Sequence, residues 1–427
     1  MIDLRLLRSE PAGVRAALAR RGDPETGDLV DGALRLDGRR RELLGEVERL
    51  KARRNEESRR IGERKRSGEP ADDLLEEMRV VAERIRTLDA EVAEVETALE
   101  DVLLRLPNLP AARVPDGGEG AFEIVRTHGE PSTGGASSRE PHWDLGARLG
   151  LLDLERGAKV AGSGFPLLVD AGARLSRALI QFMLDLHTRE HGYVEVAPPL
   201  LVNRDSLTGT GQLPKFEEDV YWTPEDDLFL IPTAEVPLTN LHRGEILPDD
   251  ALPIAYVACT PCFRREAGAA GRDTRGLLRV HQFDKVELVR FVRPEESDEE
   301  LERLTAHAEA VLERLELPYR RILLPTGDLG FANALTYDLE VWSPGVERWL
   351  EVSSCSSYTD FQARRADIRF RPGPGEKPRF VHTLNGSGVA LARTIVALLE
   401  THRDADGGVR IPEALRPWTG FDRLPRA

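Results

Sequence analysis

The sequence predicts an α+β protein: a mainly antiparallel sheet flanked by helices, preceded by an N-terminal antiparallel helical hairpin. Three observations predict it. Residues 74–106 carry an unbroken heptad seam, and a Pro/Gly-rich stretch ends it. Beyond residue 143, strand-like runs follow one another with few single crossover helices between them, which favours antiparallel pairing.

The seam is Leu74, Met78, Val81, Ile85, Leu88, Val92, Val95, Leu99, Val102 and Leu106, spaced alternately by four and three, with mostly charged residues between. Upstream, Leu29, Leu36, Leu43 and Leu50 recur every seven residues, with Val47 between the last two, so a helix is expected over about 29–66. Gly68 and Pro70 in SGEPADD (67–73) break that helix, and Asp72 or Asp73 is suited to cap the next. A heptad seam also suits a dimerisation coiled coil, but so short a turn favours pairing within one chain. At about 1.5 Å per residue the arm, about 29–106, reaches roughly 50 to 57 Å.

The far end of the first helix is basic. Residues 51–66, KARRNEESRRIGERKR, hold eight Lys or Arg against three Glu, a local charge of +5 in a chain of net charge −15. Its seam fades there, as a surface built for contact would require. Charge alone leaves two readings open: an RNA-contacting patch, or a solvated face with internal ion pairs.

Pro107, Pro110, Pro115, Gly117, Gly118 and Gly120, together with GEPSTGGASSREP (129–141), read as a linker and place a domain boundary near 110. Two domains are expected, 1–110 and 111–427. In the second, 171–190 reads as an amphipathic helix, and 193–202, 228–231, 254–262, 280–292 and 337–352 read as strands.

Composition bounds the class. A chain of 427 residues with 41% hydrophobic and 31% charged residues is globular in character. The opening MIDLRLLRSE has no basic cluster before an apolar run, and no stretch approaches a membrane span, so neither a secretory leader nor a membrane partner is expected. Three cysteines, an odd number, argue against a disulfide framework and for a reducing, cytoplasmic setting.

The segment richest in chemistry is Thr260 to Glu287. Arg264 and Glu266 precede a loop with Gly268, Gly271, Gly276, Arg272 and Arg275, after which a strand-like run begins. Guanidinium forks match phosphate oxygens in pairs, and glycines let backbone approach them. A plain hairpin with a solvated basic loop is the alternative. Arg393 stands in the helix-forming, apolar ALARTIVALLE, where it needs an anionic partner, either a structural carboxylate or a ligand.

FRREAG…GRDTRGLLRVHQFDKVE closely resembles the second signature motif of class II aminoacyl-tRNA synthetases, in the form found in seryl-tRNA synthetases. IPTAEVPLTN (231–240) and HTLNGSGVALARTIVALLE (382–400) resemble further signatures of that family, and Pro199 in HGYVEVAPPLLVN resembles its first class motif, at the dimer interface. The resemblance spans the chain. It implies a class II synthetase-like antiparallel sheet, L-serine, ATP and serine tRNA as substrates, Mg²⁺ as the metal, and a homodimer. It implies formation of seryl-adenylate, then transfer to the tRNA 3′ end, and it leaves open whether a selenocysteine tRNA is also charged.

By the same resemblance Arg264 bridges the substrate carboxylate and the α-phosphate, and Arg393 meets the γ-phosphate. Arg265 and Glu266 belong to the ATP site, as do Val280 and Phe283, the latter stacking on adenine. In EVSS, which ends a strand-like run, Glu351 and Ser354 hold the metal, with Val352 and Ser353 alongside against ATP. Thr233, Ala234, Glu235, Arg264, Glu287 and Ser387 form the serine site, while Asn385 lies in the same loop without an assigned role. Residues 208–219 resemble a mobile loop near the site. The arm would grip the long variable arm of serine tRNA, with Arg53, Arg54, Arg59, Arg60, Arg64, Lys65 and Arg66 as candidate contacts.

Two competing functions differ in testable features. A ligase loading a small amino acid on a carrier protein would not need the arm in this form. A non-catalytic RNA-binding regulator would have lost site residues, yet Arg264, Glu287, Glu351, Ser387 and Arg393 are all present. Cys259 and Cys262 match C-x-x-C without a second pair, and His187 and His191 lack a correctly placed glutamate; neither pair is expected to bind metal.

Overall fold

The computed structural model describes residues 1–131, 140–267 and 275–424. Gly268, Gly271, Arg272 and most of the 129–141 linker lie outside them. The chain divides into two compact units: Ile2–Ala19 with Asp23–Pro107, and Met1, Arg20–Gly22 and Asn108–Ala427.

The first unit holds α1 (Leu4–Ser9), α2 (Pro11–Ala19), α3 (Thr26–Ser67) and α4 (Asp72–Arg105), with α3 and α4 packed as a hairpin. Gly68 ends α3 in the left-handed conformation, φ 76°, which glycine adopts without penalty. Ala71, not an aspartate, precedes α4, and Asp72 and Asp73 occupy its first turn, where negative charge favours the helix dipole. Leu74, Met78, Val81, Ile85, Leu88, Val92, Leu99 and Leu106 are buried as the heptads predict; Val95 and Val102 are half-buried, and Leu103 is buried as well. The α3 seam departs further. Val30, Ala33, Leu43 and Val47 are buried while Leu29, Leu36 and Leu50 are half-buried. Leu43 and Val47 thus keep the expected line, while nearer the start of α3 Val30 and Ala33 are buried in place of Leu29 and Leu36.

The second unit is built on an eight-stranded sheet. Its strands are β1 (Glu123–His128), β2 (Val194–Glu195), β3 (Ile254–Phe263), β4 (Gln282–Val292), β5 (Tyr319–Leu323), β6 (Leu335–Ser343), β7 (Arg348–Ser357) and β8 (His382–Ala390). Their order is β1-β5-β6-β7-β8-β4-β3-β2, antiparallel except for the β2–β3 pair. The expected single strand over 337–352 is instead the β6–β7 hairpin, turned at Pro344-Gly345, and EVSS sits inside β7 rather than at its end. The expected strand 193–202 is cut short at β2, since prolines 198 and 199 remove ladder donors.

Helices α5 (Ala171–Arg189), α6 (Glu235–Asn240), α7 (Ser297–Arg314), α8 (Phe361–Ala366) and α9 (Leu391–Thr401) flank the sheet. Alternation along the strands decides what faces what. Val286, Leu288 and Val292 of β4 pack with Leu179, Leu304 and Ile395 of α5, α7 and α9 into the main core. Val289 and Phe291 face the other way, into a smaller core with residues of α6 and α8. The remainder of that second face carries the polar cavity.

Candidate active site

Strands β4, β7 and β8, the segment that follows β3 and the start of α9 contribute to a cavity of about 360 Å³, lined by Thr233, Glu235, Arg264, Glu266, Val280, Phe283, Glu287, Glu351, Val352, Ser354, Ser387 and Arg393. These positions span 160 residues of sequence. Antiparallel register gathers them: Glu287 pairs with Ser387 across β4–β8, and the same face of β4 continues through Phe283.

One end of the cavity is acidic. Glu287 and Glu235 are 0% and 6% exposed. Burying carboxylates is costly unless every lone pair is met. The Asn385 amide donates to both, to Glu287 Oε1 at 2.9 Å and to Glu235 Oε2 at 3.1 Å. The Tyr358 hydroxyl donates to Asn385 Oδ1 at 2.9 Å and so fixes which way that amide points. Gln362, on α8, donates to Glu235 Oε1 at 2.6 Å, and Thr233 Oγ1 donates to Glu287 Oε2 at 2.7 Å. Lys285 forms an ion pair with Glu287 Oε2. Burial, and then the charge of Glu287, push the Glu235 carboxyl up to about 7.

The other end is basic and aromatic. The backbone of Arg264 is pinned by an N–H bond to His281 O of 2.9 Å, and its Nε donates to Pro232 O at 3.3 Å. Its guanidinium carbon sits 5.2 Å from the centre of the Phe283 ring. Its terminal nitrogens have no protein partner among the described residues, leaving two donors for an anion. Arg393 Nη1 donates to Glu351 O at 2.7 Å and lies 3.3 Å from Glu351 Oε2, while its Nε donates to Leu278 O at 3.1 Å. The partner that an arginine on an apolar helix requires is thus, in this structure, the carboxylate expected to hold metal. Glu266 adopts φ 52° and pairs with Arg279 at 2.9 Å.

A second cleft continues past Glu351, Ser354 and Arg393 to Asp338 and Glu340. Asp338 is buried and its Oδ1 has no partner among the described residues. Burial, then Glu351, hold its carboxyl well above the usual range, against the Ser354 hydrogen bond.

Not every expected residue lines the cavity. Arg265 is exposed and its N–H donates to Asp219 O at 2.9 Å, in the segment expected to be a mobile loop. Ala234 is buried in the smaller core. Ser353 faces the opposite side of β7 and donates to Ser387 O at 2.6 Å, which supports the strand rather than the cavity. Pro199 is exposed, far along the sequence from the cavity strands, beside exposed Val194, Leu200 and Leu201. Lys285, Arg279 and Asn333 line the cavity without having been expected there. Lys285 was open to detection by alternation, two residues from both Phe283 and Glu287; Tyr358 and Gln362 left no local signal.

In the arm, Arg53, Arg60 and Arg64 pair with Glu77, Glu57 and Asp73. Arg54, Arg59, Lys65 and Arg66 are exposed with no carboxylate partner among the described residues. Cys259 and Cys262 are free thiols, and His187 Nδ1 lies 3.0 Å from His191 Nδ1. Among the described residues no helix is long and apolar enough to cross a membrane.

Comparison with known proteins agrees along the whole chain. Residues 1–110 match the seryl-tRNA synthetase N-terminal domain, and 216–402 the class II tRNA synthetase core domain of the G, H, P, S and T type. A serine–tRNA ligase of Gemmatimonas aurantiaca is 58% identical over 98% of this chain and 99% of its own. The crystal structure of seryl-tRNA synthetase from Pyrococcus horikoshii complexed with ATP is 41% identical, with TM-score 0.95 over the whole of both chains. That of a cytoplasmic serine–tRNA ligase from Naegleria fowleri with AMP is 28% identical, with TM-score 0.89. Identity of this depth, over both the arm and the catalytic sheet, means that the chain belongs to the seryl-tRNA synthetase family, the class II aminoacyl-tRNA ligases for serine.

Proposed function

We propose that this cavity activates L-serine with ATP and that the chain then transfers the seryl group to the 3′ end of serine tRNA. The observation that carries the reading is the gradient along the cavity: two buried carboxylates at one end, then an arginine whose terminal nitrogens have no partner among the described residues, and Phe283 and Arg393 beyond. The acidic end suits the serine ammonium. Arg264 draws the serine carboxylate and the α-phosphate together, and Phe283 stacks on adenine beside Val280 and Glu266. A carboxylate oxygen then attacks the α-phosphorus, the bond to the bridging oxygen breaks, and pyrophosphate leaves on the Arg393 side. Positioning and charge neutralisation do the catalysis, with no covalent nucleophile from the protein.

Thr233 and Ser387 offer hydroxyls to the substrate hydroxyl. The Thr233 hydroxyl is already met by Glu287 and the Glu235 N–H, so alanine would leave the Ser387 hydroxyl without its substrate partner, and discrimination against it is expected. Mg²⁺ fits the donor set: the half-exposed Glu351 carboxylate, the Ser354 hydroxyl and Asp338 Oδ1, which has no partner among the described residues, are hard oxygens, and the ion is usually completed by substrate phosphates and water. When bound, it would neutralise phosphate charge.

The arm, through Arg54, Arg59, Lys65 and Arg66 with Arg53, Arg60 and Arg64, would grip the tRNA backbone. Their charge is concentrated on one helix end in an otherwise acidic chain. The exposed apolar residues around Pro199 support a homodimer through that edge. The free cysteines accord with a cytoplasmic setting.

ATP–pyrophosphate exchange against serine, threonine, alanine, glycine and cysteine, with and without Mg²⁺, tests the reading. Metal-dependent exchange with serine is the expected result. Exchange with alanine or glycine instead, or none from folded protein, would overturn it.

A further inference from the structure

Lys285 is only 6% exposed and lines the cavity. Along β4 it shares a face with Phe283 and Glu287, about 7 Å from each at the usual strand rise. On the proposed reading the ring carries adenine and the carboxylate carries the serine ammonium. Lys285 therefore stands at the level of the bond that forms.

Glu287 already carries three contacts. Its Oε1 takes the Asn385 amide at 2.9 Å, and its Oε2 takes the Thr233 hydroxyl at 2.7 Å together with Lys285. A substrate ammonium arriving at Glu287 finds one Oε1 site open, but it brings a second cation to a carboxylate that Lys285 already occupies, and the two repel. Asn385 is held from its other side by Tyr358 and shares its amide with Glu235, so it is fixed. Thr233 is short and neutral. Lys285 alone carries the same charge as the newcomer, on a four-carbon stem that can swing.

We propose that Lys285 is a catalytic residue, held on Glu287 until the serine ammonium displaces it and then donating to a non-bridging oxygen of the α-phosphate opposite Arg264. This rests on the reading of serine activation above. The step conserves atoms and protons. The carboxylate oxygen–phosphorus bond forms, the phosphorus–oxygen bond to pyrophosphate breaks, and Lys285 stays protonated throughout, offering an N–H to charge that builds on phosphorus. The ammonium supplied by the substrate thereby frees the cation that its own activation needs, which couples amino-acid binding to catalysis.

Two substitutions separate this from a purely structural ion pair. In K285Q, serine alone, measured by equilibrium dialysis without ATP, should bind as tightly as in wild type or up to several-fold more tightly, because a competitor for Glu287 is gone. Its kcat for exchange should fall about 100-fold, the usual cost of losing one donor to a developing oxyanion. K285R should keep kcat within about tenfold by retaining the charge. A K285Q that loses serine affinity in proportion to activity, with kcat preserved, would overturn the proposal. A crystal structure of the wild-type protein with serine and a non-hydrolysable ATP analogue reads the same point without any variant. Lys285 Nζ should lie within hydrogen-bond reach of the α-phosphate, and Nζ still paired with Glu287 would overturn the proposal. Wild-type exchange with serine, run alongside, tests the underlying reading separately.

Discussion

Lowering the pH from 8 to 6 should weaken serine binding about tenfold. Glu235 is the cause. Buried and facing Glu287, its carboxyl titrates at about 7, so it is mostly ionised at pH 8 and mostly neutral at pH 6. If the ammonium binds only the ionised form, affinity tracks that fraction, which falls from about nine-tenths to about one-tenth, or roughly 1.3 kcal/mol. Stability moves in the opposite sense. Folding raises this pKa, so the stabilising share of Glu235 is full below the ordinary carboxyl range and is lost as pH rises through about 7. Serine binding should recover part of it at pH 8. The assay is equilibrium dialysis of labelled serine without ATP between pH 5.5 and 8.5, with thermal melts in parallel. In Glu235→Gln the affinity should be weak and flat across this range, since an amide there cannot ionise and sets its N–H₂ against the Gln362 or Asn385 donor. A wild-type midpoint near 7 that survives this substitution would refute the reasoning.

Arg264→Ala should abolish adenylate formation, with exchange falling at least about 100-fold; near-normal exchange would remove Arg264 from the reaction. Glu351→Gln should raise the Mg²⁺ concentration needed for half-maximal exchange about tenfold and leave serine binding in the absence of ATP unchanged. An unaltered metal requirement would place the ion elsewhere. Replacing residues 29–106 by a short Gly/Ser linker should leave exchange within a few-fold of wild type while charging of serine tRNA falls sharply. Loss of exchange from a folded protein would contradict the two-module reading.

The arm was legible because its period is local. The expected positions from Leu74 to Leu106 are buried except Val95 and Val102, which are half-buried, whereas of the α3 line only Leu43 and Val47 are buried. The catalytic sheet was legible as strands but not as turns. The run 337–352 reads as continuous strand until Pro344-Gly345 is weighed as a break, and β2 stops where consecutive prolines cannot donate. Of the site, arginines and acids in glycine-rich surroundings announced themselves through resemblance. Tyr358 and Gln362 did not, and Asn385 was placed at the site without a role, because what these three do exists only through hydrogen bonds among β8, the end of β7 and α8, far apart in sequence. Ser353 illustrates the opposite error: proximity in sequence to Glu351 says nothing about which face of β7 a side chain takes.

The contacts of α9 carry a mechanical consequence. Arg393, in its first turn, donates to Leu278 O, and Glu400, two turns later on the same side, holds His142, whose Nε2 accepts the Leu277 N–H at 3.0 Å. The helix therefore grips two consecutive residues of the segment that leads back into β4, Leu278 directly and Leu277 through a buried imidazole. A built Cβ at Gly276 would come within 2.3 Å of that imidazole, so the grip tolerates no side chain at the base of the loop. Arg393 and the returning limb of the hairpin are thus tied to one helix, and a substitution at His142, outside the cavity, should loosen that limb at Leu277.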